Sequence, residues 1–337
     1  MGEKNILNSY ENLSVKFVAK AKAALVKETW HARVLGDHEV FGKTVVSLIS
    51  SGSERGGYMD YFGGNRYPME TGYAVVMEVL ETGGKVESVK PGELIFASAP
   101  HSLYNIVGDD EIVPVLDGMP PEEAVLCRFP AVSMTTMLKT QIRPVEPVLV
   151  TGLGIVGLMC AQMMKHCGYD VYAVDHNERR RAIARECGLI QVYSAVGECS
   201  AAGRFGLAIE CSGAEQAALD ALDALRKGGE LSLVGVPWYR GTDTWAHDVF
   251  RKVFYGFITL TSGWEWSIPR HSTEFIPGSN YGNFAVGMEW IRSGDIKVNG
   301  IYELVTPEEC DRVYQAIVNK TASRTCTIFD WRTLSAL

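Results

Sequence analysis

Two periodicities divide the chain. Over its first part, short apolar runs alternate with polar positions at the spacing of half-buried strands, predicted at 16–18, 23–26, 44–49, 74–80 and 94–97. Glycine-rich turns at Gly63-Gly64, Gly83-Gly84 and Pro91-Gly92 separate them. The segment 120–139 turns helical, opened by Pro120, Pro121, Glu122 and Glu123. From Pro147 the pattern changes to short strands alternating with amphipathic helices. The apolar run Val148, Leu149, Val150 predicts a buried strand, and 155–167 a helix with Gly168 as its C-terminal stop. Strands follow at 170–174, 206–210, 231–235 and 257–261. Helices are expected at 178–187 and at 214–227, the latter with Leu219, Leu222 and Leu225 on one face and Gly228-Gly229 ending it. Repeated β-α alternation at this spacing is the mark of a parallel, doubly wound sheet. Residues 264–283, with Trp264, Trp266, Pro269 and Pro277, break the rhythm as an aromatic loop. The remainder returns to mixed strand and helix and is expected to pack back onto the first part.

Composition narrows the function classes. The chain has 337 residues, 47% hydrophobic and 21% charged, which is ordinary globular composition with room for about two cores. A formal charge of -8 argues against nucleic acid or anionic lipid as a partner. The first twenty residues carry no apolar h-region, so no signal peptide is read. No apolar stretch approaches the roughly 18 residues that span a bilayer, and the cytoplasm is the expected compartment. The eight cysteines form no C-x-x-C pair and no zinc-ligand spacing with histidine; they read as reduced thiols used as small apolar residues.

The motif that carries chemistry is Gly152-Leu153-Gly154-Ile155-Val156-Gly157, which follows a strand and opens a helix. In such a turn the first glycine allows the tight bend, the second lets backbone approach a pyrophosphate, and the third lets helix and strand pack closely. Free N–H groups at the helix start hold the phosphate charge. Asp175, 23 positions after Gly152, ends the next strand, where a carboxylate reaches the adenosine ribose. A carboxylate there favours NAD over NADP, because it bonds a free 2′-hydroxyl and repels a 2′-phosphate. Arg179, Arg180 and Arg181 are the opposing signal, unless they form a solvated helix face.

With this unit in mid-chain, several segments resemble the medium-chain dehydrogenase/reductase superfamily of alcohol and polyol dehydrogenases. They are Ile49-Ser50-Ser51-Gly52-Ser53-Glu54, Gly72-Tyr73, Val89-Lys90-Pro91-Gly92-Glu93, the glycine turn, Glu210-Cys211-Ser212-Gly213 and Val234-Gly235-Val236-Pro237. Segments 50–55 and 66–72 look most like bacteriochlorophyllide dehydrogenase-type members. The resemblance implies an α/β fold: a central Rossmann doubly wound parallel sheet plus a β-rich GroES-like catalytic domain built from both chain ends. The expected domains are 1–144, 145–283 and 284–337, the last returning to the catalytic domain. Implied cofactor contacts are Gly152, Gly154, Ile155, Val156, Gly157, Asp175, His176, Asn177, Arg180, Cys211, Ser212, Gly213, Val234, Gly235 and Val236. It further implies a homodimer or homotetramer joined through 257–261.

The departures from that family matter as much. Zinc members place a cysteine at Ser51, His-Glu at Tyr73-Ala74 and a third ligand near Arg128. Serine, tyrosine and arginine do not make the ligand sphere of catalytic zinc, so no metal site is expected. Without that Lewis acid, hydrogen-bond donors must stabilise a developing alkoxide. Tyr73, Ser53 and Arg128 are the candidates, since the resemblance sets these positions around the nicotinamide. Tyr73 equally reads as filler of the metal space, Ser53 as a turn-bonding residue, and Arg128 as the partner of an acid such as Glu54. His101 and Glu54 read as structural. Trp238, Trp245, Trp264 and Trp266 line a cleft for a sizeable substrate or pack in the core. The expected activity is NAD-dependent, zinc-independent interconversion of a secondary alcohol and a ketone in a small-molecule substrate. Reduction of an activated C=C bond (enone or quinone type) and a catalytically silent NAD-binding sensor or structural protein are the alternatives.

Overall fold

A computed structural model describes residues 6–7, 9–31 and 33–335. Residues 1–5 and 8, part of the stretch read above for a signal peptide, lie outside the described residues. The chain divides into two compact units, 1–126 with 299–337, and 127–298.

The first unit is built of strands β1 (Ile6–Leu7), β2 (Tyr10–Ala19), β3 (Lys22–Trp30), β4 (Arg33–Val34) and β5 (Glu39–Leu48), then helix α1 (Ser51–Met59). Strands β6 (Met69–Glu70), β7 (Val75–Thr82), β8 (Leu94–Ala97), β9 (Tyr104–Gly108) and β10 (Ile112–Pro114) and helix α2 (Pro121–Ala124) complete its N-terminal part. In the second unit come α3 (Arg128–Lys139), β11 (Pro147–Thr151), α4 (Ile155–His166), β12 (Asp170–Val174), α5 (Glu178–Glu186) and β13 (Gln191–Tyr193). They are followed by β14 (Phe205–Glu210), α6 (Glu215–Ala224), β15 (Leu225–Leu233), α7 (Ala246–Gly256), β16 (Thr259–Ser262) and α8 (Asn280–Arg292). The chain then rejoins the first unit with β17 (Tyr302–Val305), α9 (Cys310–Val318) and β18 (Cys326–Asp330).

The first unit's main sheet runs β10-β8-β7-β5-β18-β17, with β9 also paired to β5. Its neighbours are antiparallel except β17 and β18. A smaller sheet, β3-β2-β6, folds over a core of Phe17, Ile49, Tyr58, Tyr314, Phe329 and Trp331. Strand β18 lies against β5, so the chain's two ends share one sheet. The second unit's sheet is parallel throughout, in the order β13-β12-β11-β14-β15-β16. This is the doubly wound Rossmann order, with the switch in strand direction of winding at β11 and β14. The α/β class, with a Rossmann unit and a GroES-like β-rich unit drawing on both termini, is as expected. Among the described residues no helix is long and apolar enough to cross a membrane.

Several boundaries differ from the sequence reading. The unit limits fall at 126/127 and 298/299 rather than at 144 and 283, because α3 packs against α4 and α8. The helix expected at 214–227 stops at Ala224. Leu225 pairs with Phe205 as the first residue of β15, which runs on through Gly228 and Gly229. Leu225 is buried in the same core either way, so its apolar spacing was compatible with both structures. Phe257 is not in a strand; it is the left-handed residue that ends α7, and β16 starts at Thr259. Residues 280–283 form the first turn of α8, capped by the Ser279 hydroxyl, which accepts the Gly282 N–H.

Candidate functional site

The glycine turn stands where the sequence placed it, between β11 and α4. Gly152 has φ +83, a left-handed value that strains any residue with a side chain, and an added Cβ would stand 2.7 Å from that of Ser212. A Cβ on Gly157 would lie 1.8 Å from the Gly152 carbonyl oxygen, whereas one on Gly154 would meet nothing within 4 Å. Two of the glycines are therefore needed for packing, and Gly154 leaves open space over the turn. No side chain caps α4, so the N–H groups of its first turn, Ile155, Val156 and Gly157, retain their capacity to meet an anion.

Two further loops converge on this turn because β14 and β15 follow β11 in the sheet. After β14 comes Cys211-Ser212-Gly213, and after β15 comes Val234-Gly235-Val236. A Cβ on Gly213 would stand 2.4 Å from the Val236 carbonyl oxygen, and one on Gly235 would stand 2.1 Å from the Gly213 nitrogen. Backbone meets backbone here. The loop after β14 is held by Glu210, a residue quoted only as part of a motif in the sequence reading. Its buried carboxylate accepts the Ser212 N–H at 2.6 Å, the Ser212 hydroxyl and the Gly213 N–H at 3.0 Å. Burial raises its pKa, partly offset by those donors.

At the end of β12, Asp175 is buried and ordered by backbone. Its Oδ2 accepts the Leu153 N–H at 2.7 Å, and its Oδ1 accepts the Asn177 N–H at 2.8 Å. The carboxylate is thus locked to the glycine turn itself. Arg180 donates to the same Oδ2 at 3.3 Å, while Arg181 is turned to the Asp175 carbonyl and to Glu178. Asn177 caps α5 by accepting the Arg180 N–H, and His176 is exposed beside the carboxylate. Turn, two further loops and acid make a donor set and an open surface that fit a dinucleotide.

In the first unit, Tyr73 and Ser53 come together: the half-buried phenol donates to Ser53 Oγ at 3.1 Å. Helix α1 carries Ser53, and Gly72 (φ +87) precedes Tyr73, packed so closely on His101 that a Cβ would lie 2.5 Å from its ring. Below them sits a fully buried network. Glu54 Oε1 accepts the Ser50 N–H at 2.7 Å, and Oε2 accepts from Thr71 Oγ1 at 2.8 Å, from Tyr314 and from His101 Nε2 at 3.2 Å. Ser47 Oγ takes the Trp331 N–H at 2.8 Å and stands 2.8 Å from His101 Nδ1. An ionised carboxylate can only accept, so Nε2 carries the proton that meets Glu54, while Ser47, with one proton and two lone pairs, can meet Nδ1 in either role. Burial works to raise the Glu54 pKa, yet His101, Tyr314 and the Ser50 N–H outweigh it and hold the carboxyl below the usual range.

Arg128 does not pair with Glu54. It is buried in the second unit, where its Nη2 donates to Glu265 in the aromatic loop. Its guanidinium lies 5.1 Å from the centre of the Phe284 ring and 5.9 Å from that of Trp266. Burial raises the Glu265 pKa, and Arg128 opposes the rise. Trp245, Trp264 and Trp266 are exposed rather than packed in a core, and Trp238 is partly buried. The residues at the three zinc-ligand positions of the resembled family offer a hydroxyl, a phenol and a guanidinium, a set that does not fit zinc. Among the described residues no group of three histidine, cysteine, aspartate or glutamate side chains could hold a metal ion.

Comparison with known proteins bears on the same regions. Residues 156–265 match the model of the zinc-binding dehydrogenase family. An L-threonine 3-dehydrogenase of Shigella sonnei is 31% identical over 118 residues, covering 32% of this chain and 35% of the relative. The chain spans about a third of the length of the curated relatives it matches. L-idonate 5-dehydrogenase of Escherichia coli superposes with a TM-score of 0.79 at 14% identity, over 97% of this chain and 100% of that one. Galactitol-1-phosphate dehydrogenase of Escherichia coli gives 0.78 at 16% identity, over 94% and 99%. A zinc-binding dehydrogenase of Sinorhizobium meliloti, solved bound to NADP, gives 0.76 at 14% identity, over 95% and 99%. At these identities the structures establish the shared fold.

Proposed function

We propose that this chain is an NAD-dependent, zinc-independent dehydrogenase that interconverts a secondary alcohol and a ketone in a small molecule. The observation that carries the reading is the convergence of two glycine-bearing loops on the Gly152–Gly157 turn, with the Asp175 carboxylate bonded to the turn's own backbone. When bound there, the nicotinamide supplies the hydride acceptor or donor. Asp175 orients the adenosine ribose and disfavours a 2′-phosphate, and Arg180 stands beside it as the residue an NADP-using chain would turn outward.

Zinc independence rests on the residue types at Ser51, Tyr73 and Arg128. In place of a metal, the Tyr73–Ser53 pair offers a two-hydroxyl relay. As an alcohol is oxidised, its hydroxyl proton passes to the Tyr73 oxygen, the Tyr73 proton to Ser53, and the Ser53 proton to water. Arg128, committed to Glu265, is assigned a structural part. The proposed partner is a second copy of the chain, paired edge to edge through β16. The proposed compartment is the cytoplasm, a reading supported by eight cysteines that form no disulfide.

Turnover tests the proposal. The purified protein is expected to reduce NAD with a member of a secondary-alcohol panel, to hold no stoichiometric zinc by elemental analysis, and to keep its rate in a chelator. Turnover confined to enones or quinones with reduced cofactor would replace carbonyl chemistry by C=C reduction. Cofactor binding with no turnover on either panel would make the chain a nucleotide sensor.

A further inference from the structure

Glu210 is the last residue of β14, and its main chain and side chain hold different loops. Its backbone carbonyl accepts the N–H groups of Val234 and Gly235, each at 2.8 Å, where the chain leaves β15. Its carboxylate accepts the Ser212 N–H at 2.6 Å, the Ser212 hydroxyl, and the Gly213 N–H at 3.0 Å. One residue therefore fixes the first residues of both loops that close on the glycine turn. The sheet supplies the reason: β14 lies between β11 and β15, with Glu210 level with Thr151 on one side and Leu233 on the other.

The side chain is only 2% exposed, so a charge has been taken out of water to cap a loop that a serine or asparagine would cap without one. The charge adds stiffness, because hydrogen bonds to an ionised acceptor are shorter and stronger than neutral ones. The Ser212 hydroxyl, besides donating to Glu210, accepts the Ala214 N–H at 3.1 Å. Ser212 also sits directly on the glycine turn, where a Cβ on Gly152 would lie 2.8 Å from its nitrogen. Gly213 in turn is wedged against Gly235 and Val236. A shift of Ser212 and Gly213 is thus passed to the turn on one side and to the loop after β15 on the other.

We infer that Glu210 is a positioning residue for the nicotinamide half of the dinucleotide, acting through the two loops it holds. The inference rests on the cofactor reading above and deepens it. Sheet order separates the two halves. Asp175 ends β12 on one side of β11, whereas β14 and β15 lie on the other. A dinucleotide with its pyrophosphate at the β11–α4 turn and its adenosine at β12 sends its remaining half across the ends of β14 and β15. That half carries the ring whose C4 gives or takes the hydride, so its orientation bears directly on reaction geometry. Loops ordered before the cofactor arrives lower the cost of ordering them on binding. The adenosine half, seated at Asp175, gains nothing from Glu210.

Titration calorimetry of the full chain with NAD and with ADP, which has the adenosine and pyrophosphate but no nicotinamide, tests the assignment. Glu210→Gln keeps the shape and sets an amide N–H against the N–H groups of Ser212 and Gly213. It is expected to weaken NAD about tenfold and to leave ADP binding as in the wild type. Asp175→Ser, by contrast, should weaken both nucleotides. With an alcohol that turns over, the KM for NAD of Glu210→Gln should rise by a similar factor, and kcat at saturating cofactor should stay within about twofold. Equal weakening of NAD and ADP would show a general loosening of the cradle and overturn the inference. Unchanged NAD binding overturns it too, as does a fall in kcat at unchanged KM, which would place the acid in the chemistry. A wild type that binds neither nucleotide overturns the cofactor reading itself, and this inference with it. Should Glu210→Gln fail to fold, Ser212→Ala decides, since it removes one donor and leaves the buried acid its backbone partners. NAD should then weaken about threefold or more with ADP unchanged, and wild-type NAD affinity would overturn the assignment.

Discussion

His101 Nε2 stands 3.2 Å from Glu54 Oε2 in a fully buried site, and that one carboxylate ties together α1, the segment before Tyr73 and helix α9. Four donors converge on it, so no water is needed to satisfy it. The carboxylate holds Ser53 on one side, through the Ser50 N–H at the start of α1. It holds Tyr73 on the other, through Thr71. The geometry of the Tyr73–Ser53 pair is thus set from below by groups that never touch it.

Glu54→Gln is expected to destabilise the protein by about 3–5 kcal/mol, because an amide turns a donor toward Thr71, Tyr314 or His101 and removes a buried charge from its partners. The folded carboxyl is held below its ordinary pKa. Its stabilising contribution is therefore full above the unfolded value, near about 4.3, and is lost as pH falls through the lower folded value. Thermal melts over the acid range are expected to show that loss in the wild type and a flatter profile in the variant. Equal slopes would mean that the network does not titrate as a unit.

Arg128 and Glu265 behave as a second buried couple with the opposite sign of linkage. Burial raises the Glu265 pKa, so its contribution is fullest below the unfolded value and declines as pH rises through the folded one. Arg128→Met is expected to cost about 3–5 kcal/mol and to steepen that decline, since it removes the cation that opposes the rise. Arg128→Met combined with Glu265→Leu is expected to recover much of the loss, because no uncompensated charge remains. A double-mutant cycle by thermal denaturation measures it, and additive losses would show the pair uncoupled.

How much of this was legible in the sequence depended on whether local pattern and tertiary packing agreed. The parallel sheet and the glycine turn were readable because β-α periodicity and turn glycines point the same way there. Helix α1 was not: three glycines at 52, 56 and 57 give it poor propensity. It forms because Glu54 and Tyr58 are buried, Tyr58 donating to Asp311 at 3.0 Å, and because Gly57 lets Met69 approach. Helix α7 was obscured by Phe250 and Phe254, whose outward stripe blurs the one-sided pattern that marks a surface helix. The roles of His101, Glu210 and Glu265 depend on partners 47, 2 and 137 positions away in the chain. Only the short-range contact lay within reach of motif spacing.

NAD is expected to bind about tenfold to a hundredfold more tightly than NADP, the worth of a charge-assisted hydrogen bond of about 1.5–3 kcal/mol. Asp175→Ser should shrink that ratio by removing the ribose acceptor and freeing Arg180 for a phosphate. Asp175→Ser with Arg180→Ala should then lose the NADP gained. Titration calorimetry reads all three, and equal affinity of the wild type for both cofactors would reassign the site to Arg180.

Tyr73→Phe deletes one oxygen and keeps the ring, so it separates hydrogen bonding from packing. The phenol now donates to Ser53 at 3.1 Å, and a substrate oxygen competes for that proton while Ser53 turns its own proton back to the Tyr73 oxygen. Loss of one such donor at an oxyanion costs about 3–4 kcal/mol, or a hundredfold or more in kcat. Ser53→Ala leaves the phenol in place but breaks the proton's exit, so it should lower the rate less at high pH, where hydroxide accepts the proton directly. Cofactor affinity should be unchanged in both variants, because neither residue belongs to the converging loops of the second unit. A Tyr73→Phe enzyme with wild-type kcat, alongside an Arg128→Lys enzyme that has lost it at wild-type stability, would transfer the donor's role to the arginine and leave Tyr73 as filler.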